Sequence, residues 1–134
     1  MKLIDMHCDT LMKLLEQPEK SLAELDAEVN LPGLKQAGSM AQFFACFTNL
    51  MDYPQPPERA YDEAYRTVLR MIERMKEEIE KAPQELALAT GAQEILDNDA
   101  AGKISAFLTV EEGGILNGRM ERLHDLYDQG IRLI

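Results

Sequence analysis

Residues 104–134 read ISAFLTVEEGGILNGRMERLHDLYDQGIRLI, and the fold is decided there. Ile104 to Glu111 is rich in β-branched and aromatic residues and reads as a strand. Ile104, Ala106, Leu108 and Val110 fall on one face, and Ser105, Phe107, Thr109 and Glu111 on the other, because successive strand side chains alternate. Glu112 to Gly118 is a glycine-rich loop. Met120, Leu123, Leu126 and Tyr127 then recur at helical spacing, and Gly130 closes that helix. Ile131 to Ile134 opens another apolar strand. Strand, helix and strand in this order form parallel α/β architecture joined by a crossover.

The same alternation runs upstream. Pro54, Pro56 and Pro57 mark a loop, and Pro57 suits a first helical turn. Tyr61, Tyr65, Val68, Ile72, Met75 and Ile79 form the core-facing stripe of a long helix that ends before Pro83. Lys76, Glu77 and Glu78 read as its solvated face. Thr90 with Gln93 reads as a capping box for a short helix through Ile95 and Leu96. Ser39 to Thr48 is a second strand, and Gly33 to Gln36 a short helix before it. Glu19 to Pro32 is polar and irregular. Lys2 to Asp9 is the first strand, and Thr10 is placed to cap a helix carrying Leu11, Leu14 and Leu15.

Strands near 2–9, 39–48, 104–111 and 131–134 alternate with helical stretches. A (β/α)8 barrel needs about 250 residues. The expectation is therefore an α/β fold, with 1–134 a single incomplete barrel domain: the N-terminal part, about half, of a (β/α)8 TIM barrel. The chain has 134 residues and is 46% apolar and 28% charged, which suffices for a buried core.

Fourteen Lys and Arg against 24 Asp and Glu give a formal charge of −10. That balance argues against nucleic-acid or anionic-membrane partners, which require clustered cations. Two cysteines make neither a disulfide scaffold nor a cysteine-rich zinc module. The amino-terminal run lacks a secretory pattern and no apolar stretch approaches membrane-spanning length, so a reduced, cytoplasmic setting is expected.

Chemistry concentrates at strand ends. In the first strand Ile4, Met6 and Cys8 share one face and Asp5, His7 and Asp9 the other. With the apolar face packed on outer helices, His7 and Asp9 point inward at the C-terminal end, where barrel enzymes place their sites. An imidazole nitrogen and a carboxylate so placed suit zinc or a similar divalent ion. The bland reading is a histidine bonded to a neighbour at a polar strand end. By the same parity Glu111 points inward and Glu112 does not, and Gly113-Gly114 admits close backbone approach. The bland reading there is a pair of acids opening a loop and complementing a helix dipole. His124 reads as a surface residue, Cys8 as buried packing, and Cys46 as a thiol with no base beside it.

These residues resemble the membrane (renal) dipeptidases and their bacterial relatives. Ile4-Asp5-Met6-His7-Cys8-Asp9-Thr10 is similar to that family's first strand. Val29 to Asn49, with Ala41-Gln42-Phe43-Phe44, resembles its second-strand region. Lys103 to Glu111, followed by Gly113-Gly114 and Leu126 to Arg132, resembles the segment carrying its metal-bridging glutamate. The family usually sets that glutamate directly before two glycines, which would select Glu112. An ungapped count from Gly130 and from Lys103 selects Glu111, with Glu112 as the alternative.

The resemblance implies a metal-dependent-hydrolase-type barrel and a zinc-dependent dipeptidase that hydrolyses the peptide bond of dipeptides through a metal-activated bridging water. It implies two zinc ions, with His7 and Asp9 on one and Glu111 bridging to the other. The remaining ligands and proton-transfer residues belong to later strands, so no catalytic residue beyond the ligands is expected within these 134 residues, and the stretch alone is expected to be inactive. The partner implied is a dipeptide substrate, with a homodimer left open. The rival readings are another amidohydrolase-type barrel (deaminase or lactonase) and a non-catalytic barrel relative. The amidohydrolases typically open with His-x-His, whereas this chain has His7-Cys8-Asp9.

Overall fold

The structure, a computed structural model, describes residues 2–53 and 56–134. Pro54, expected in a loop, lies outside them. The elements are β1 (Leu3–Asp5), α1 (Thr10–Glu16), α2 (Leu31–Ala37), β2 (Ser39–Phe47), α3 (Pro57–Lys81), β3 (Leu86–Leu88), α4 (Ala92–Ala100), β4 (Ile104–Glu111), α5 (Met120–Asp128) and β5 (Ile131–Leu133), with 3-10 turns at Leu50–Asp52 and Gly113–Leu116.

Every strand pairing is parallel. β2 lies between β1 and β4. The other edge of β4 is shared. β3 pairs with its first half, at Ile104 to Ala106, and β5 with its second, at Leu108 and Thr109. β3 escaped the sequence reading because three residues, Leu-Ala-Leu, carry no measurable period.

Ile104, Ala106, Leu108 and Val110 of β4 join Phe44 and Cys46 of β2 in one core with Leu11, Leu14, Val68, Ile72, Met75 and Leu126. Helices α1, α2, α3 and α5 thus cover one face of the sheet. Each such fully buried aliphatic or aromatic side chain stabilises by roughly 1.5–3 kcal/mol. Phe107, Ala41 and Phe43 on the opposite face pack with Ala89 and with Ile95 of α4. Phe43 and Phe107 stack with ring centroids 4.4 Å apart. The inner face is thereby filled at its N-terminal end and open at the end where β1, β2 and β4 finish.

The first strand departs from simple alternation. Asp5 pairs in register with Gln42. Cys8 N–H donates to Phe43 O (3.0 Å) and Cys8 O accepts from Ala45 N–H (2.9 Å), which sets Cys8 opposite Phe44. From Asp5 to Cys8 the first strand therefore carries one residue more than β2 does from Gln42 to Phe44. This extra residue is a bulge, and it resets the parity. Asp5 turns to the helix side, where Gln42 Nε2 donates to its carboxylate at 2.9 Å, instead of sharing a face with His7. Ile4 and Met6 are 46% and 56% exposed rather than packed on helices. Regular strand geometry stops at Asp5, short of the expected Asp9.

Other local readings also shift. Asp9, not Thr10, stands before α1, and the Thr10 hydroxyl instead donates to Val29 O at 3.0 Å. α2 begins earlier than expected, at Leu31, because the Asn30 side chain accepts from Gly33 N–H and Pro32 fits the first turn. At the start of α4 the N-cap is Gly91, not Thr90, and it is Glu94, not Gln93, whose side chain reaches back to the backbone. Glu94 accepts from the N–H groups of both Thr90 and Gly91, which holds its carboxyl below the usual range. In α3 the buried stripe runs through Ala60, Ala64, Val68, Met71, Ile72 and Met75, with Tyr61, Tyr65 and Ile79 half-buried beside it. Glu78 is not solvated: it is 2% exposed, and it accepts from Arg74 (2.5 Å), Lys81 (2.8 Å) and Leu22 N–H (2.5 Å). This ion cluster ties the irregular segment before α2 onto α3.

Candidate metal centre

The two hydrogen bonds that Cys8 makes to β2 fix the residues on either side of it. Cys8 itself turns into the helix-side core, 7% exposed. His7 and Asp9 must then project to the opposite, inner face. β4 stays paired with β2 up to Phe47 and Glu111, and Glu111 has the inner-face parity of Ser105, Phe107 and Thr109. Two strand ends separated by β2 thus deliver three donors to one place.

His7 Nε2 lies 3.4 Å from Asp9 Oδ1 and 3.3 Å from Glu111 Oε2. One ligand atom from each residue falls within 4.8 Å of the others. Among the described residues this is the grouping of three histidine, cysteine or acidic side chains that could hold a metal ion. Each side chain is about half exposed, at 53%, 54% and 49%. One imidazole nitrogen and two carboxylate oxygens are a donor set that zinc accepts, and three protein ligands leave room for water and for further ligands. The residues present therefore fit a divalent ion.

Glu112 is differently employed. Its backbone sits in the left-handed region (φ 90°, ψ 73°), and its carboxylate accepts from Gly114 N–H at 3.0 Å. The side chain folds back on the turn that follows and does not join the cluster. A side chain on Gly114 would meet Glu112 Oε1 and Leu50 Cδ1, each at 2.7 Å, so the glycine keeps this turn closed.

A recess beside the cluster is lined by His7, Asp9, Lys13 and Glu28 among others. Lys13 Nζ donates to Glu28 at 2.7 Å, which pulls the Glu28 carboxyl below its ordinary range and pushes the Lys13 ammonium above its own. His124 is exposed on α5 and stands apart from the cluster. Cys46 is buried, and burial pushes its thiol up to about 12, which leaves no nucleophile there. The sequence reading missed the bulge and the buried Arg122 behind the Gly113–Leu116 turn. An arginine beside the apolar positions of a helix gives no sign that it will be buried.

Among the described residues no helix is long and apolar enough to cross a membrane. No curated protein matches the chain. Solved structures do. A structure described as dipeptidase AC, a metallo peptidase, superposes with a TM-score of 0.82 at 23% identity, covering 99% of this chain and 42% of that one. A metallo peptidase from Rhodobacter sphaeroides, liganded with a phosphinate mimic of the dipeptide L-Ala-D-Ala, gives 0.80 at 21% identity, covering 97% and 44%. The probable dipeptidase PvdM from Pseudomonas aeruginosa gives 0.70 at 15%, covering 81% and 28%. The chain thus spans less than half the length of the solved structures it matches. At these identities the likeness concerns the fold, a parallel α/β arrangement corresponding to the N-terminal part of their TIM-barrel-like architecture. The family is shown by sequence: residues 1–134 match the profile of the membrane dipeptidases, peptidase family M19, and the chain belongs to that family.

Proposed function

We propose that the chain supplies one side of the metal site of a zinc-dependent dipeptidase. The convergence of His7, Asp9 and Glu111 within 4.8 Å carries the reading. Family membership supports it, as does the dipeptide mimic bound to the Rhodobacter sphaeroides metallo peptidase. In this reading His7 and Asp9 would hold one ion, and Glu111 would bridge it to a second. Two divalent ions bound there would lower the pKa of a shared water toward neutrality and polarise the scissile carbonyl.

The residues of this chain perform the holding and orienting. Cys8, pinned to β2, sets the angle between its two neighbours. The β2–β4 pairing sets the height of Glu111 relative to them. All three side chains must be deprotonated to ligate, so metal binding weakens as pH falls. The remaining ligands and the groups that bind and protonate the dipeptide are assigned to parts of the fold outside residues 1–134. On that basis the 134 residues form a single incomplete barrel domain, inactive by itself. A cytoplasmic location is part of the proposal, consistent with two free, buried thiols.

The test is a dipeptide panel assayed with the complete barrel protein, metal-depleted and then zinc-restored. Hydrolysis that disappears with the metal and returns with zinc is expected. A zinc-loaded protein inert toward every dipeptide, or one equally active after metal removal, would refute the assignment.

A further inference from the structure

We propose that Arg122 is a positioning residue for the Glu111 carboxylate, acting through the turn that follows it. The inference rests on the metal-site reading above and extends it to a residue on α5.

Arg122 is 7% exposed, and both terminal nitrogens of its guanidinium donate hydrogen bonds. One terminal nitrogen donates to Ile115 O at 2.6 Å and to Tyr61 O at 3.3 Å. The other donates to the Asp62 carboxylate. The guanidinium carbon lies 4.6 Å from the centroid of the Tyr65 ring. Tyr61, Asp62 and Tyr65 all belong to α3. Ile115 belongs to the Gly113–Leu116 turn. Arg122 therefore fastens that turn to the longest helix of the fold.

What the turn controls lies immediately before it. Glu111 O accepts from Thr48 N–H at 3.4 Å, which fixes the ligand's backbone to the end of β2. Glu112 then takes φ 90°, a conformation that a residue with a side chain adopts only when its surroundings impose it. Glu112 O accepts from Ile115 N–H at 3.3 Å, and the Glu112 carboxylate accepts from Gly114 N–H. The strained residue is thus bounded by two anchors, β2 at Glu111 and Arg122 at Ile115. Releasing the second anchor lets Glu112 relax toward negative φ. That relaxation rotates the peptide following Glu111 and re-aims its carboxylate. Metal–ligand distances tolerate only about 0.2 Å of error, so a small rotation is enough to matter.

Arginine suits this task because its planar fork reaches a turn carbonyl, a helix carbonyl and a carboxylate together, and an ammonium cannot. Asp62 supplies the charge that makes burial tolerable. Of these contacts the bond to Ile115 O reaches the turn, and with Asp62 removed Tyr61 O and the Tyr65 ring still hold the guanidinium to α3, so the two functions are separable by mutation.

The experiment compares R122K, R122Q and D62A with the unmodified protein. Affinity for Zn2+ is measured by competition with a chelating dye, and the thermal midpoint is measured alongside. R122K and R122Q are expected to weaken zinc binding by roughly 10–100-fold, the range seen when the partner behind a ligand is lost. D62A is expected to lose thermal stability while keeping zinc affinity within about threefold of the parent. Unchanged affinity in R122K overturns the inference, and R122K decides alone if R122Q does not fold. Equal loss of affinity in D62A also overturns it, since the effect would then be general destabilisation. Absence of zinc binding in the parent protein is a separate result, which removes the metal-site reading and this inference together.

Discussion

His7 Nε2 and Glu111 Oε2 stand 3.3 Å apart, although one residue follows β1 and the other ends β4. β2 separates their strands. Their meeting follows from register. Cys8 is opposite Phe44 and turns to the helix side, which leaves His7 on the inner face, and Glu111, opposite Phe47, takes that face too. A one-residue slip in either pairing would send one of them to the helix side.

The ligand set should be asymmetric with respect to stability. His7, Asp9 and Glu111 are each about half exposed, and none supports the core. H7A and E111Q are therefore expected to leave the unfolding free energy of the metal-free protein within about 0.5 kcal/mol of the parent, as for ordinary surface positions. A cooperative melt shifted well beyond that would show these residues to be structural.

Gly114 is predicted to be intolerant of any side chain. Its added Cβ would lie 2.7 Å from both Glu112 Oε1 and Leu50 Cδ1. G114A should destabilise by about 1–3 kcal/mol through overpacking and should displace the Glu112 carboxylate from its N–H partner. Urea denaturation reads the loss; a neutral substitution would mean that the turn is open.

Glu78 should be among the costliest positions on α3. It is 2% exposed and serves Arg74, Lys81 and Leu22 N–H at once. E78A leaves Arg74 buried beside Lys20 O with the exposed Glu77 carboxylate, at 3.3 Å, in place of a buried one. The expected cost is about 3–5 kcal/mol by chemical denaturation. A change below about 1 kcal/mol would indicate that water replaces the carboxylate.

Stability should fall on the alkaline side. Burial pushes the Cys46 thiol from an ordinary 9.0 up to about 12, and burial with the Asp125 bond pushes Tyr65 from 10.0 to about 12. Burial raises Cys8 in the same direction. Above pH 9 the unfolded chain loses these protons before the folded one does, so unfolding becomes easier as pH rises. The thermal midpoint should decline steadily between pH 9 and 12. A flat profile across that window would show that the folded state titrates like the unfolded chain.

How much of this was legible follows from where each feature's signal resides. The β4–α5–β5 unit was readable because alternation, helical spacing and Gly130, which sits at φ 109° after α5, all agree. His7 and Asp9 stand where parity placed them, yet the parity that predicted this also assigned Asp5 to their face. The bulge moved Asp5 to Gln42, and nothing between Ile4 and Cys8 in the sequence announces an extra residue. Glu78 reads as surface charge and Arg122 draws no notice, because composition does not reveal which charges find buried partners. Glu112 was held as the alternative to Glu111 on family pattern. Its bond to Gly114 N–H gives it another occupation, and only backbone geometry reveals that. The His7-Cys8-Asp9 triplet, in place of His-x-His, pointed to the dipeptidases before any coordinates did.

The central claim is that His7, Asp9 and Glu111 ligate metal, and metal content after loading tests it most directly. The complete barrel protein, saturated with zinc and then dialysed, is predicted to hold close to two zinc ions per chain by elemental analysis. H7A, D9A and E111Q should each lose bound zinc while remaining folded by circular dichroism. No retained zinc in the parent, or undiminished zinc in all three variants, would contradict the account.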